Sequence, residues 1–176
     1  FTADVMDEAT LACVAEHKVP VNAGSIDMLH QLGQASPGHP VWLRINPGFG
    51  HGHSNKTNTG GEHSKHGIWH SDLLAALQAI RDGGLKLAGL HMHIGSGVDY
   101  QHLEQVARSM IELIAQLDMD IEAFSIGAGL STPYRSGDKP VDLQPYPQTR
   151  AVARTDIETP LAHPVRLEIE PCRFLV

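Results

Sequence analysis

The chain has 176 residues, 41% of them hydrophobic and 19% charged, with a formal net charge of -7. That is the composition of a globular chain able to bury a real core, not of a disordered one. Its 13 Lys and Arg are scattered without a basic stripe, which excludes a nucleic-acid binder, and no apolar run approaches the ~20 residues that span a bilayer.

Two cysteines, Cys13 and Cys172, stand far apart with no metal or redox spacing. Lone thiols of this kind point to a reducing, cytoplasmic compartment, with a disulfide left open. The chain begins in the apolar stretch FTADV without an initiator Met and ends inside FLV. Both ends read as cut through structure, so a piece of a larger protein is expected, with an upstream targeting signal left open.

Strand and helix patterns alternate along the chain. FTADV reads as a strand, and Asp7 then caps a helix with Leu11, Val14 and Ala15 on one face. VPVNAGS is the next strand, followed by a helix that starts at Ser25 or Asp27 and carries Met28, Leu29 and Leu32. VWLRINP is a strand stopped by Pro47. The glycine-, histidine- and asparagine-rich GFGHGHSNKTNTGGEHSKHG reads as a flexible surface loop. Ser71 is then expected to cap SDLLAALQAIRD, whose stripe Leu73, Leu74, Leu77 and Ile80 ends at Gly83. KLAGLHMHIGS is a strand, HLEQVARSMIELIAQL a helix and IEAFSIGAG a strand. Residues 143–162 read as partly helical against Pro145, Pro147 and Pro160, and VRLEIEP is the last strand.

Six strands separated by helices or long loops specify a parallel α/β sheet. Asn22 and Ser25, Arg44 and Asn46, His91, His93 and Ser96, Gly127 to Gly129, and Glu170 with Arg173 all fall at or beyond strand C-terminal ends. A doubly wound sheet would gather such residues at one switch point. Here every strand contributes, as at the active face of a barrel. The expected fold is a partial (β/α)8 TIM barrel of about six βα units filling residues 1–176, an incomplete domain with unpaired edge strands.

Several stretches carry candidate chemistry. HIGSG, His93 to Gly97, offers small residues, a hydroxyl and backbone N–H groups suited to a phosphate, or else a plain turn. IGAGLS, Ile126 to Ser131, is a second glycine turn on the same face, where Gly127 and Gly129 allow close approach to an anion. EPCR, Glu170 to Arg173, places a carboxylate at a strand end in a run expected to be mostly buried, where it needs a partner such as a protonated heterocycle nitrogen. His91 and His93 alternate onto one face, so that they form either a structural pair or a flat ring beside the phosphate site. His51, His53, His63, His66 and His70 raise the question of a metal. No Cys accompanies them and only Glu62 is acidic, so no metal is expected and a substrate or subunit-contact loop is favoured.

LRINPGFGHGHSNKTNTGGEHSKHGI, GLHMHIGSGVDYQHLEQV, IGAGLSTPY and LEIEPCRFLV, in this order, make the chain resemble the fold-type III pyridoxal-phosphate decarboxylases across almost its whole length. The first string resembles the branch that acts on diaminopimelate rather than the ornithine, arginine or alanine-racemase relatives. The resemblance implies pyridoxal 5'-phosphate as cofactor, meso-diaminopimelate as a small amino-acid substrate, and L-lysine and carbon dioxide as products of lysine biosynthesis. It also implies a C-terminal β-domain, lacking here, that completes the site across a homodimer.

By that resemblance Glu170 and His93 are the catalytic pair, Glu170 keeping the pyridine nitrogen protonated and His93 stacking on the ring. Ser96, Gly127, Gly129, Cys172 and Arg173 would hold the cofactor, Arg173 would also reach a substrate carboxylate, and Arg44 and Lys65 would line or brace the site. Two positions depart from the pattern. Ala128 and Cys172 stand where the family has Gly, and each adds a Cβ on the phosphate side. The lysine that anchors the cofactor lies upstream of Phe1 in the family, and none of the lysines present has its context. The chain alone is therefore expected to be inactive. Two alternatives stay open: a non-catalytic barrel homologue that serves as a binding or regulatory partner, and a metal-binding histidine loop.

Overall fold

The structure, a computed structural model, describes residues 1–51, 58–96, 100–128, 132–133, 136–137, 142, 144 and 154–170, with the backbone alone at Tyr100 and Ala128. Its strands and helices follow the chain as β1 (Thr2–Ala3), α1 (Glu8–Glu16), β2 (Val21–Ala23), α2 (Ile26–Ala35), β3 (Pro40–Asn46), β4 (Ile68–Trp69), α3 (Leu73–Asp82), β5 (Lys86–His91), α4 (Tyr100–Ile114), β6 (Ala123–Ala128) and β7 (Arg166–Glu170). Residues 154–161 add a further helix before β7.

All strand pairs are parallel, and the order β1-β2-β3-β5-β6-β7 never reverses, with β4 attached to β3 at the side. Parallel crossovers are right-handed, so a sheet that grows in one direction keeps its helices on one face. The sheet then curls around its bare face as a half-barrel, and every strand C-terminus points to the same end.

Local chemistry explains where the elements start. Asp7 accepts from the Thr10 N–H at 2.8 Å and Ser25 from the Met28 N–H at 3.4 Å, two N-caps expected from the residue types. On β3, Val41, Leu43 and Ile45 are buried while Trp42 and Arg44 occupy the opposite face half-buried. The helix-side core packs Leu29 and Leu32 of α2 and Leu77 and Ile80 of α3 with Leu90 and Phe124 from the sheet. α2 and α3 approach closely where Gly33 meets Gly83, since a Cβ on Gly33 would lie 2.5 Å from the Gly83 Cα.

Three expectations need correction. Leu74 is 65% exposed, off the buried stripe, because the stripe follows Leu73, Ala76, Leu77 and Ile80. Ser71 does not cap α3; a 3₁₀ turn over His70–Asp72 intervenes and Ser71 bonds to Asp72 instead. α3 does end at Gly83, its C-cap, as expected, and Gly84 follows with a left-handed φ of +59°. The run at the last strand is also less buried than its composition suggests: β7 is an edge strand, and Ile169 is 50% exposed. No helix among the described residues is long and apolar enough to cross a membrane.

Candidate active site at the C-terminal ends of the strands

The described parts of the loop after β3, its first residues and residues 58–67, are anchored to strand ends. Asn46, buried at the end of β3, accepts from the Gly48 and Gly61 N–H groups at 3.1 and 2.9 Å and donates to Gly61 O at 3.1 Å. Asp4, just past β1, holds His66 Nδ1 at 2.5 Å and the Gly67 N–H at 3.1 Å. The His51 and Thr59 N–H groups donate to Ile94 O at 3.0 and 3.2 Å, and Thr59 Oγ1 donates to His93 O at 3.1 Å. These described stretches are held because their polar groups meet the Asn46 and Asp4 side chains and the His93 and Ile94 carbonyls just past three strand ends.

That loop brings only some of its histidines to the site. His66 is held by Asp4, and His51 stacks on His102 with ring centroids 4.0 Å apart. His63 and His70 are exposed, and His53 lies outside the described residues. Among the described residues no group of three or more His, Cys, Asp or Glu converges as metal ligands.

The chemistry gathers on β5, β6 and β7. Register sets His91 beside Ser125 and Ala128 beside Glu170. His91 Nε2 lies 2.9 Å from Glu170 Oε1, a short polar contact in which the ring N–H is inclined away from the oxygen. Ser125 Oγ donates to the same Oε1 at 3.2 Å and in turn accepts from the Gly127 N–H at 3.2 Å. His91 is only 3% exposed, whereas the Glu170 side chain is 45% exposed. The expected burial of Glu170 is thus replaced by a half-open carboxylate held from one side.

Electrostatics sorts the two catalytic candidates. Contact with His91, opposed by desolvation and reinforced by the nearby His93 and the Ser125 hydroxyl, holds Glu170 down at about 2. Burial lowers His93 to about 4; His91 and Arg44 push the same way, and Glu170 opposes them. Near neutral pH the site therefore presents an ionised carboxylate beside an uncharged, half-buried imidazole.

Gly127 fits against His93 only as glycine. Its φ is +64°, and a Cβ would come within 2.7 Å of Met92 O and 2.8 Å of His93 Nδ1. Ala128 instead has strand backbone and pairs with Glu170, so the left-handed requirement falls one residue earlier than the altered position. Ser96 is half-buried just past Gly95, and Lys65 is exposed on the loop. Gly129, Cys172 and Arg173 lie outside the described residues.

Residue typing alone did not single out Ser125 or Asp4. Ser125 was detectable as the polar residue two positions before Gly127 on one strand face, and Asp4 as the acidic residue closing the first strand. On the bare face of the sheet a groove of about 160 Å³ is lined by Asn22, Trp42, His91, Ser125, Glu168 and Glu170. Among the described residues, Asn22 Oδ1 and both ring nitrogens of His91 are buried without hydrogen-bond partners, the Nε2–Glu170 contact being an ion-pair approach. An ionised carboxylate, a flat neutral ring, a glycine cradle and a hydroxyl at adjacent strand ends suit a protonated aromatic heterocycle bearing an anion.

The family model for the pyridoxal-dependent decarboxylases, pyridoxal binding domain, matches residues 1–176. The diaminopimelate decarboxylase of Escherichia coli (strain K12) is 61% identical over all 176 residues, which cover 42% of that protein. The diaminopimelate decarboxylase of Streptomyces coelicolor is 58% identical over the same span, 40% of its length. A crystal structure of diaminopimelate decarboxylase superposes with a TM-score of 0.93 at 61% identity, covering 100% of this chain and 42% of the other. The Helicobacter pylori enzyme complexed with L-lysine shares the fold at a TM-score of 0.76 and 20% identity, with 97% and 44% of the two chains covered. The chain thus spans less than half the length of these relatives.

Proposed function

Because the chain belongs to the pyridoxal-dependent decarboxylases, we propose that it forms the cofactor-binding barrel of an enzyme that converts meso-diaminopimelate to L-lysine and carbon dioxide. The observation that carries this reading is the ionised Glu170 carboxylate set beside the neutral His93 ring, with a glycine cradle at Gly127. Pyridoxal phosphate, when bound, supplies an electron sink for the carbanion left by loss of carbon dioxide.

Each residue has a defined task in this reading. Glu170, as an anion, favours the proton on a pyridine nitrogen. His93, uncharged, offers a flat face to that cationic ring without charge repulsion. Gly127 lets backbone approach the ring side of the site, and Ser96, with Gly129, Cys172 and Arg173, holds the phosphate. Arg173 binds a substrate carboxylate, and Arg44 and Lys65 line or brace the site, Arg44 acting electrostatically on His93. The loop clasped by Asn46 and Asp4 excludes water from one side. The whole protein is assigned to the cytoplasm as a homodimer, and the exposed free thiol of Cys13 accords with a reducing compartment.

The test is release of labelled carbon dioxide from carboxyl-labelled meso-diaminopimelate by the full-length protein, with matching formation of L-lysine. Glu170→Gln should lower the rate by about a hundredfold or more. Equal turnover of ornithine or arginine would overturn the substrate assignment. The chain alone is expected to be inactive, so the deciding result is that of the full-length protein: no turnover of any amino acid by it, loaded with pyridoxal phosphate, would favour a non-catalytic barrel.

A further inference from the structure

We propose that His91, assisted by Ser125, is a positioning residue that holds one oxygen of Glu170 and so presents the other to the cofactor ring. The proposal rests on the reading of Glu170 given above and adds a residue that touches neither substrate nor cofactor in it. Glu170 stands on an edge strand with its side chain 45% exposed, so its own strand does not fix its rotamer. Both contacts that do fix it fall on Oε1: His91 Nε2 at 2.9 Å and Ser125 Oγ at 3.2 Å. Among the described residues no hydrogen bond or ion pair falls on Oε2, the oxygen this proposal assigns to the ligand.

The partners are themselves rigid. His91 is 3% exposed and Ser125 2%, they face each other across β5 and β6, and the Gly127 N–H donates to Ser125. A carboxylate that must sit within a few tenths of an ångström of a ring nitrogen gains from such pre-set support. Among the described residues, the charged and titratable groups around Glu170 are His91 and His93 from the β5 side, Arg44 on β3 beside His91, and Glu168 on β7, which Arg166 holds at 3.1 Å. Of these, His91 makes the direct contact.

The experiment combines a carboxyl-carbon NMR titration of Glu170 with pyridoxal phosphate binding, on the protein as isolated. His91→Gln keeps a donor near the position of Nε2; His91→Leu keeps volume and removes it. With His91→Leu the Glu170 midpoint should move from about 2 toward 4.5, and pyridoxal phosphate affinity should fall about tenfold. His91→Gln should restore most of both. Ser125→Ala, a smaller change that leaves the ring in place, should shift the midpoint the same way by less. An unmoved Glu170 titration in His91→Leu, or equal losses in the Gln and Leu variants, would overturn the proposal and leave His91 a packing residue. If Glu170→Gln leaves cofactor affinity and spectrum unchanged, the reading of Glu170 itself fails, an outcome separable from the carboxyl titration.

Discussion

Asp4 and His66, 62 positions apart in sequence, meet with Oδ2 and Nδ1 2.5 Å from each other, and Asp4 Oδ1 also takes the Gly67 N–H. One carboxylate at the end of the first strand thereby closes a loop that begins after the third. Gly67 needs its left-handed φ of +83°, and a Cβ there would meet Arg44 O at 3.0 Å. Asp4→Ala removes both acceptors at once. It should cost about 1–3 kcal/mol in denaturant unfolding and speed amide exchange at Gly67. Unchanged exchange would mean that the loop holds itself without Asp4.

Gly127→Ala combines backbone strain with a direct clash. The left-handed φ costs roughly 1–2 kcal/mol for a residue with a Cβ, and the methyl would press on Met92 O and His93 Nδ1. Thermal unfolding should fall by several degrees for a domain of this size. The His93 ring resonances should shift more than those of His39, which bonds Ser36 and Val19 O away from the site.

The two shifted groups set two windows of pH dependence. His93 is lowered to about 4 from 6.5, so the unfolded chain binds more protons between those values and stability falls as pH drops across them. Glu170 is lowered to about 2 from 4.5; its contribution is complete above 4.5 and disappears as pH falls toward 2. The windows overlap between 4 and 4.5 and share one sign, so denaturant unfolding should show stability rising continuously from about pH 2 to about pH 6.5. His93→Phe should remove the upper part of that rise and Glu170→Gln the lower.

The helix-side core gives a contrasting pair. Leu77 is fully buried between sheet and helices, and Leu77→Ala should cost about 2–5 kcal/mol. Leu74, one turn back and exposed, should accept Gln within about 0.5 kcal/mol. Urea midpoints of the two variants decide whether the stripe runs through Leu77 alone.

Much of the frame was legible because each element carried its own signal. Asp7 and Ser25 marked helix starts, and the alternation Val41, Leu43, Ile45 marked a strand with one buried face. β4 escaped because two residues, Ile68 and Trp69, hold their place only through pairing with Ile45 and Asn46. The exposure of Glu170 escaped because alternation along β7 cannot tell an edge strand from a central one. The His91–Glu170 contact required register, which includes a shift between Ser125 and Ala128 that no local pattern announces. The anchors of Gly67, His51 and Thr59 were not legible for a related reason: their partners, Asp4 and Ile94 O, come from distant parts of the chain.

The most direct test of the central claim is an absorbance titration of pyridoxal phosphate into the protein and its Glu170→Gln variant, repeated across pH. An ionised Glu170 facing the ring nitrogen predicts saturable binding whose spectrum is flat through neutrality. In the variant, affinity should fall about tenfold or more and the bound spectrum should begin to titrate. Equal affinity and the same pH response in both proteins would contradict the assignment of Glu170 to the pyridine nitrogen.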